Sequence, residues 1–279
     1  MIIDFHAHTF PDKIAAHALE HMQSMSHNLV YSDGTVAGLT ASMKEAGITH
    51  SVVLPVVTNP GKASHINDIS IAHDSADGLI YFGGIHPDTE NWKQELDRMA
   101  ENGLKGFKVH PYYQGADIDD IRYLRIFGRA AELGLIVVMH AGLEPAYPGQ
   151  VRCSPEMTRN MLRQVPGLTL VAAHMGGLWS WEQVSRHLAD TNVYLDTSNA
   201  LGKMEQTPGN HWHEEDLKLL DESAFCALVR DFGAHRILFG ADSPWTAQKA
   251  SVEAIQKLPL TEEEKEMIFF RNAKKLLKL

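Results

Sequence analysis

The sequence predicts an α/β fold, a (β/α)8 TIM barrel, spanning residues 1–279 as one domain. Three observations predict it. Eight short apolar runs alternate with stretches whose apolar residues recur at helical spacing, the pattern of parallel βαβ units. The length of 279 residues suits one such barrel, and no linker, internal repeat or low-complexity tract divides the chain. Most of the apolar runs also end on a polar residue, and a barrel gathers its strand C-termini on one rim.

The first nine residues, MIIDFHAHT, read as a strand made apolar by Ile2, Ile3 and Phe5. Asp4, His6 and His8 share one parity. Strand side chains alternate with period two, so His6 and His8 point to one side. Pro11 to Ser26 reads as a helix, with Ile14, Ala18 and Met22 at helical spacing. A second helix runs from Thr35 to Ala46, with Thr35 suited to its N-cap and Gly47 ending it. Seven further strands are expected at His50–Val57, Leu79–Pro87, Leu104–Pro111, Leu135–Gly142, Leu168–Gly177, Val193–Ser198 and Arg236–Trp245. Helices fall between them at Lys62–Asp77, Trp92–Asn102, Ile118–Leu133, Pro155–Val165, Trp181–Ala189 and Asp216–Phe232. Lys249–Leu258 and Thr261–Leu277 complete the helical set. Leu143–Ser154 and Asn199–Glu215 are long connections after strands, where barrel enzymes place their chemistry.

Composition narrows the function. A hydrophobic share of 44% supplies a sizeable core, and a net charge of −10 argues against nucleic acid as a partner. Cys153 and Cys226 have no metal-type spacing and read as free thiols of a reducing, cytoplasmic setting. No signal-peptide pattern opens the chain, and no run of about 18 apolar residues suggests a membrane span.

The strand ends carry the chemistry. His6 and His8 finish the first strand, His86 the third, Lys108 and His110 the fourth, His140 the fifth, His174 the sixth and Asp242 the eighth. Polar groups closing apolar strands are costly unless paired or bound to an ion. Nitrogen and oxygen donors on one rim suit a divalent metal, zinc first, with manganese or iron as alternatives. His86 and His110 each precede a proline and read as pocket-lining or supporting groups, or as ordinary loop histidines. Trp245 is a candidate wall of the site, with plain aromatic packing as the alternative. Arg152, in a rim loop beside Tyr147, is a candidate for binding a carboxylate, or else a solvated arginine. Tyr112 and Tyr113 lie in a second rim loop. His211 and His213 repeat the two-residue spacing in a polar loop and offer at most a substrate contact.

At these residues the chain resembles the amidohydrolase superfamily, in particular its amidohydrolase-related group of metal-dependent barrel hydrolases and decarboxylases. The matching segments are DFHAH at His6 and His8, GFKVHP around Lys108, MHAG at His140, AHMGG at His174 and FGADSPW at Asp242. The resemblance implies that His6, His8, His140 and Asp242 are metal ligands. His174 would be a further ligand or a catalytic histidine. Some relatives carry a carboxylated lysine on the fourth strand that bridges two metals. Lys108 has that position, but one ion and a Lys108 that binds a substrate anion or pairs with a carboxylate are the preferred reading. A small-molecule substrate and a homodimer are also implied.

The expected activity is hydrolysis of a small ester, lactone or amide. A bound divalent ion lowers the pKa of its water toward about 7. Asp242 would take that proton and pass it to the leaving group, with His174 polarising the carbonyl. The alternative is a non-oxidative decarboxylase using the same metal, as in the aminocarboxymuconate-semialdehyde decarboxylase branch. Nucleases that share the barrel are disfavoured by the −10 charge.

Overall fold

Strand and helix signals fall where the sequence places them, with shorter strands than expected. The structure is a computed structural model describing residues 1–73, 76–208 and 212–279. In chain order, β1 (Ile3–Ala7) is followed by α1 (Asp12–Ser26) and α2 (Val36–Ala46), then β2 (His50–Val53) by α3 (Ala63–His73). Next come β3 (Leu79–Tyr81), β4 (Gly83–Gly84) and α4 (Trp92–Glu101), then β5 (Gly106–Val109) and α5 (Ile121–Leu133). β6 (Ile136–Met139) leads to α6 (Pro155–Gln164), and β7 (Thr169–Ala172) to α7 (Trp181–Leu188). β8 (Tyr194–Asp196) and α8 (Glu222–Phe232) precede β9 (Ile237–Leu238), α9 (Gln248–Lys257), α10 (Glu262–Glu266) and α11 (Asn272–Leu277). A π-helical turn, Met267–Arg271, joins the last two helices.

Capping explains the helix ends. Thr35 accepts from the Gly38 N–H, and Gly47 closes α2 at φ 69°. Asp221 caps α8 through the Ala224 N–H at 2.8 Å, so that helix begins after the Asp216 start expected from the sequence. Thr261 and Glu264 form a capping box that starts α10.

The third apolar run and the first helix also depart from expectation. The third apolar run is broken at Phe82 into β3 and β4. There the Gly84 N–H donates to the buried Asn67 Oδ1 at 2.9 Å. In α1 the buried face is Ala15 and Leu19, while Ile14 is 51% exposed. The helical period holds, and the buried face is displaced by one residue from the Ile14, Ala18 and Met22 stripe. Gly34 helps seat Leu19, because a Cβ at Gly34 would lie 3.0 Å from Leu19 Cδ1. Asp74 and Ser75 of the helix expected over Lys62–Asp77, and His211, fall outside the described residues, while Ala76–Gly78 is a short 3-10 turn.

The chain forms two compact units, each assembled from more than one stretch: Met1–Ser51, Glu144–Pro148 and Asp196–Leu279 in the first, Val52–Leu143 and Gly149–Leu195 in the second. In the second, β4, β5, β6, β7 and β8 lie side by side in that order, all parallel. β5 and β6 are buried at every position, as expected of a parallel sheet covered on both faces. Val109, Met139 and Ala172 form one row across β5, β6 and β7. The next row therefore carries His110, His140 and Ala173, with His174 one residue on. In the first unit, Thr49 and His50 donate to the Ile2 carbonyl beside β1, and β1 also runs along the segment that follows β9. Among the described residues, no helix is long and apolar enough to cross a membrane.

Close strand packing makes Gly106 a sensitive position. A Cβ there would sit 2.1 Å from the Ile136 carbonyl oxygen and 2.7 Å from Phe82 Cε2. Gly106→Ala is expected to destabilise the protein by about 1–3 kcal/mol, the usual range for forcing atoms into a packed core. Urea unfolding would show it as a lower midpoint, and an unchanged midpoint would contradict this packing.

Candidate metal centre

Backbone pairing brings His6, His8 and Asp242 together in the first unit. Phe5 N donates to Phe239 O, Asp242 N to His6 O and His8 N to Ser243 O, each at 2.7 Å. This parallel run sets Ser243 level with Ala7, between the two histidines, and so brings Asp242 beside His6. Their rings lie on one side of β1 with centroids 5.1 Å apart. His8 Nε2 is 3.1 Å from Asp242 Oδ1, and His6 Nε2 is 3.5 Å from the same oxygen. Asp242 holds φ at 64°, in the left-handed region that favours glycine.

Buried partners fix His6. Its Nδ1 is 2.9 Å from Asp196 Oδ2 and 3.0 Å from Ser198 Oγ, and the Ser198 hydroxyl donates to Asp196 Oδ1. Both oxygens of Asp196 are thus occupied, with the Nδ1–H of His6 pointing at a carboxylate. That leaves the Nε2 lone pair facing His8 and Asp242, the tautomer a metal requires. Gly240 permits the approach, since a Cβ there would sit 3.0 Å from His6 Cβ and 3.4 Å from Asp196 Cβ.

Beneath this pair, Asp4 clamps β1 to the strand carrying Asp242. It accepts from His6 N at 2.9 Å, Ala241 N at 3.0 Å and Gln248 Nε2 at 2.7 Å. Burial pushes the Asp4 carboxyl up to about 7, against the pull of those three donors. Asn199 Nδ2 donates to Asp242 Oδ2 at 2.6 Å. Asp4, Asp196, Ser198 and Asn199 are not among the site residues expected from the sequence. A signal was present: Asp4 shares the parity of His6 and His8, and Asp196 and Ser198 end an apolar run as the site histidines do.

The second unit holds the other expected residues. His140 and His174 are buried, with His174 Nε2 3.1 Å from His140 Nδ1. His140 Nε2 lies 2.9 Å from the Leu143 carbonyl, so that nitrogen carries the proton and Nδ1 is the acceptor. His110 stacks on His140 at 4.3 Å, as their shared row requires. The Trp181 indole N–H donates to the His174 carbonyl at 2.9 Å. Lys108 is 1% exposed on β5.

Other candidates are occupied locally. His86 Nδ1 accepts from Asp88 N at 3.1 Å, and burial lowers its imidazole below the ordinary value, with Asp88 pushing it up and Arg122 down. Arg152 pairs with Asp117 at 3.1 Å. Tyr112 OH donates to the Gly142 carbonyl at 2.8 Å. The ring of Tyr113 lies 4.3 Å from that of His110. In the first unit, Trp245 follows Asp242 in a tight turn and walls a cavity of about 80 Å3 with Tyr31, Asn199, Leu201 and Met204. His213 is exposed in its loop.

His6, His8 and Asp242 each offer one donor atom, all within 4.8 Å of one another. Two imidazole nitrogens and a carboxylate oxygen, backed by Asp196, fit a divalent cation.

Comparison with known proteins bears on the whole chain. The decarboxylase orsB of Emericella nidulans is 23% identical over 234 residues, 66% of this chain, which spans 65% of that protein's length. A TIM-barrel protein from Bordetella bronchiseptica has a TM-score of 0.74 at 19% identity, covering 99% of this chain and 98% of its own. The 5-carboxyvanillate decarboxylase of Novosphingobium aromaticivorans was solved with manganese and 4-hydroxy-3-methoxy-5-nitrobenzoic acid. It has a TM-score of 0.69 at 17% identity, covering 100% of this chain and 96% of its own. These likenesses show the fold to be the TIM barrel that the sequence predicts. A family model described as Amidohydrolase matches residues 3–279, so this chain belongs to the amidohydrolase family.

Proposed function

We propose that the protein is a metal-dependent decarboxylase, releasing carbon dioxide from a small carboxylated substrate. The observation that carries this reading is the donor set of His6, His8 and Asp242, with Asp196 fixing the His6 tautomer. The sequence alone favoured hydrolysis of an ester, lactone or amide. The similarity to decarboxylases, one of them holding a benzoic acid and manganese, favours the carboxy-lyase reading instead. Zinc and manganese both suit these nitrogen and oxygen donors, and one ion suffices for three.

When bound, the divalent ion supplies positive charge that orients and polarises the substrate's oxygens. His6 and His8 would hold it through Nε2, and Asp242 through Oδ1. Decarboxylation replaces a carbon–carboxylate bond by a carbon–hydrogen bond, so one proton must reach carbon as carbon dioxide leaves. Asp242 is proposed to supply that proton. In the second unit, His140 and His174 are proposed as a proton-transferring pair, joined through His174 Nε2 and His140 Nδ1. Lys108 is proposed to hold a substrate anion. The substrate is a small carboxylated aromatic, with a cytoplasmic setting.

Purified protein is expected to release carbon dioxide from hydroxylated or methoxylated benzoates. Dialysis against a chelator should abolish this, and Mn2+ or Zn2+ should restore it. Turnover confined to esters, lactones or amides would return the assignment to hydrolysis, and full turnover by metal-free protein would remove the metal from the mechanism.

Asp196→Asn keeps the shape of the side chain but removes the charged acceptor for His6 Nδ1–H. Metal affinity is expected to fall about 10- to 100-fold, the usual cost of losing such a supporting partner. Competition with a chromophoric chelator measures it, and wild-type affinity would show that Asp196 does not serve the metal.

A further inference from the structure

One short segment holds both halves of the donor set. Asp196 and Ser198 grip His6 through Nδ1, and the next residue, Asn199, reaches Asp242. The segment is itself pinned: Thr197 N donates to Leu238 O at 3.0 Å, and Ser198 N to Asp196 Oδ1 at 3.1 Å. Asn199 holds φ at 45°, a left-handed conformation that asparagine tolerates better than most residues. That conformation follows directly on the residue bound to His6.

The two oxygens of Asp242 are consequently unlike. Oδ2 accepts the Asn199 amide at 2.6 Å, while Oδ1 faces His8 Nε2 at 3.1 Å and His6 Nε2 at 3.5 Å. A carboxylate rotates about its terminal bond, and a neutral donor on one oxygen fixes the other. We infer that Asn199 is a positioning residue: by holding Oδ2 it makes Asp242 a ligand through Oδ1 alone and sets the direction of that oxygen toward the two histidines. The assignment rests on the metal reading above and adds a residue to it. Asn199 also lines the small cavity beside Trp245, so it links the metal ligands to the space next to them.

The test separates the amide from the backbone. Asn199→Gly accommodates φ 45° and removes only the side chain. Asn199→Asp keeps the size but replaces the donor by a second carboxylate. Zn2+ affinity is measured by chelator competition, the Co2+-loaded absorption spectrum reports ligand geometry, and the melting temperature of metal-free protein reports folding. Asn199→Gly is expected to melt no lower than wild type, to bind Zn2+ about 10-fold more weakly and to shift the Co2+ bands. Asn199→Asp should also bind more weakly than wild type. Wild-type affinity together with an unchanged Co2+ spectrum in Asn199→Gly would overturn the inference and leave the metal site standing. His8→Ala is the control for the site itself: wild-type protein that binds Zn2+ no more tightly than His8→Ala would overturn both.

Discussion

A carboxylate removed from water must find donors or give up its charge, and this chain buries three around His6. Asp4 and Asp196 are fully buried, and Asp242 is 7% exposed. Each solves the problem differently. Asp4 collects two backbone N–H groups and Gln248 yet still has its carboxyl raised, so burial outweighs its neutral donors. Asp196 takes an imidazole and a hydroxyl. Asp242 takes Asn199 and faces two imidazoles. Buried polar groups of this kind are costly unless every partner is present. Together they make the first unit's interior polar at one place, and the candidate centre is that place.

Parallel pairing is the device that sets the positions. In a parallel ladder, residues level with one another stay level along the strands, so a polar residue just past one strand end meets those just past its neighbours. In the second unit the row Val109–Met139–Ala172 puts His110 against His140 and leaves His174 one step further. In the first unit the hydrogen bonds from Phe5, His8 and Asp242 do the same for the metal donors. Gly240 completes the arrangement by omission, since any side chain there would meet His6. Strand ends thereby become chemical positions without any long-range instruction beyond register.

That is also why so much of the site was legible in the sequence. His6, His8 and Asp242 end apolar runs, and their grouping follows from strand order alone. The capping signal at Thr35 carries its own mechanism and marks where its helix starts. Less legible were features settled by tertiary packing. The inward face of α1 depended on where Leu19 fits beside Gly34, which helical period cannot decide between adjacent residues. The break at Phe82 depended on Asn67 taking the Gly84 N–H from a distant helix. Asp196, Ser198 and Asn199 are not legible by residue type, because each acts through another side chain. A ligand is recognised by type and position, whereas a residue that orients a ligand is recognised only by what it touches. Arg152 illustrates the converse: a plausible anion-binding residue by type, it is paired with Asp117.

Backbone strain supports the functional reading of the same strand ends. Asn199 and Asp242 in the first unit, and His174 and Met175 in the second, all adopt positive φ without being glycine. Each such residue costs about 1–3 kcal/mol, and strain of this kind persists only where surrounding bonds over-determine it. The bonds are identifiable. Asp242 N is tied to His6 O at 2.7 Å and its side chain to Asn199, while the His174 carbonyl accepts the Trp181 indole at 2.9 Å. Several kcal/mol is a large fraction of a net folding stability of about 5–15 kcal/mol. A fold selected for stability alone would place glycine at such positions, as this chain does at Gly47 and Gly134 where they end helices. Keeping aspartate, asparagine and histidine there trades stability for the side chains themselves, which is what a catalytic centre requires of its scaffold.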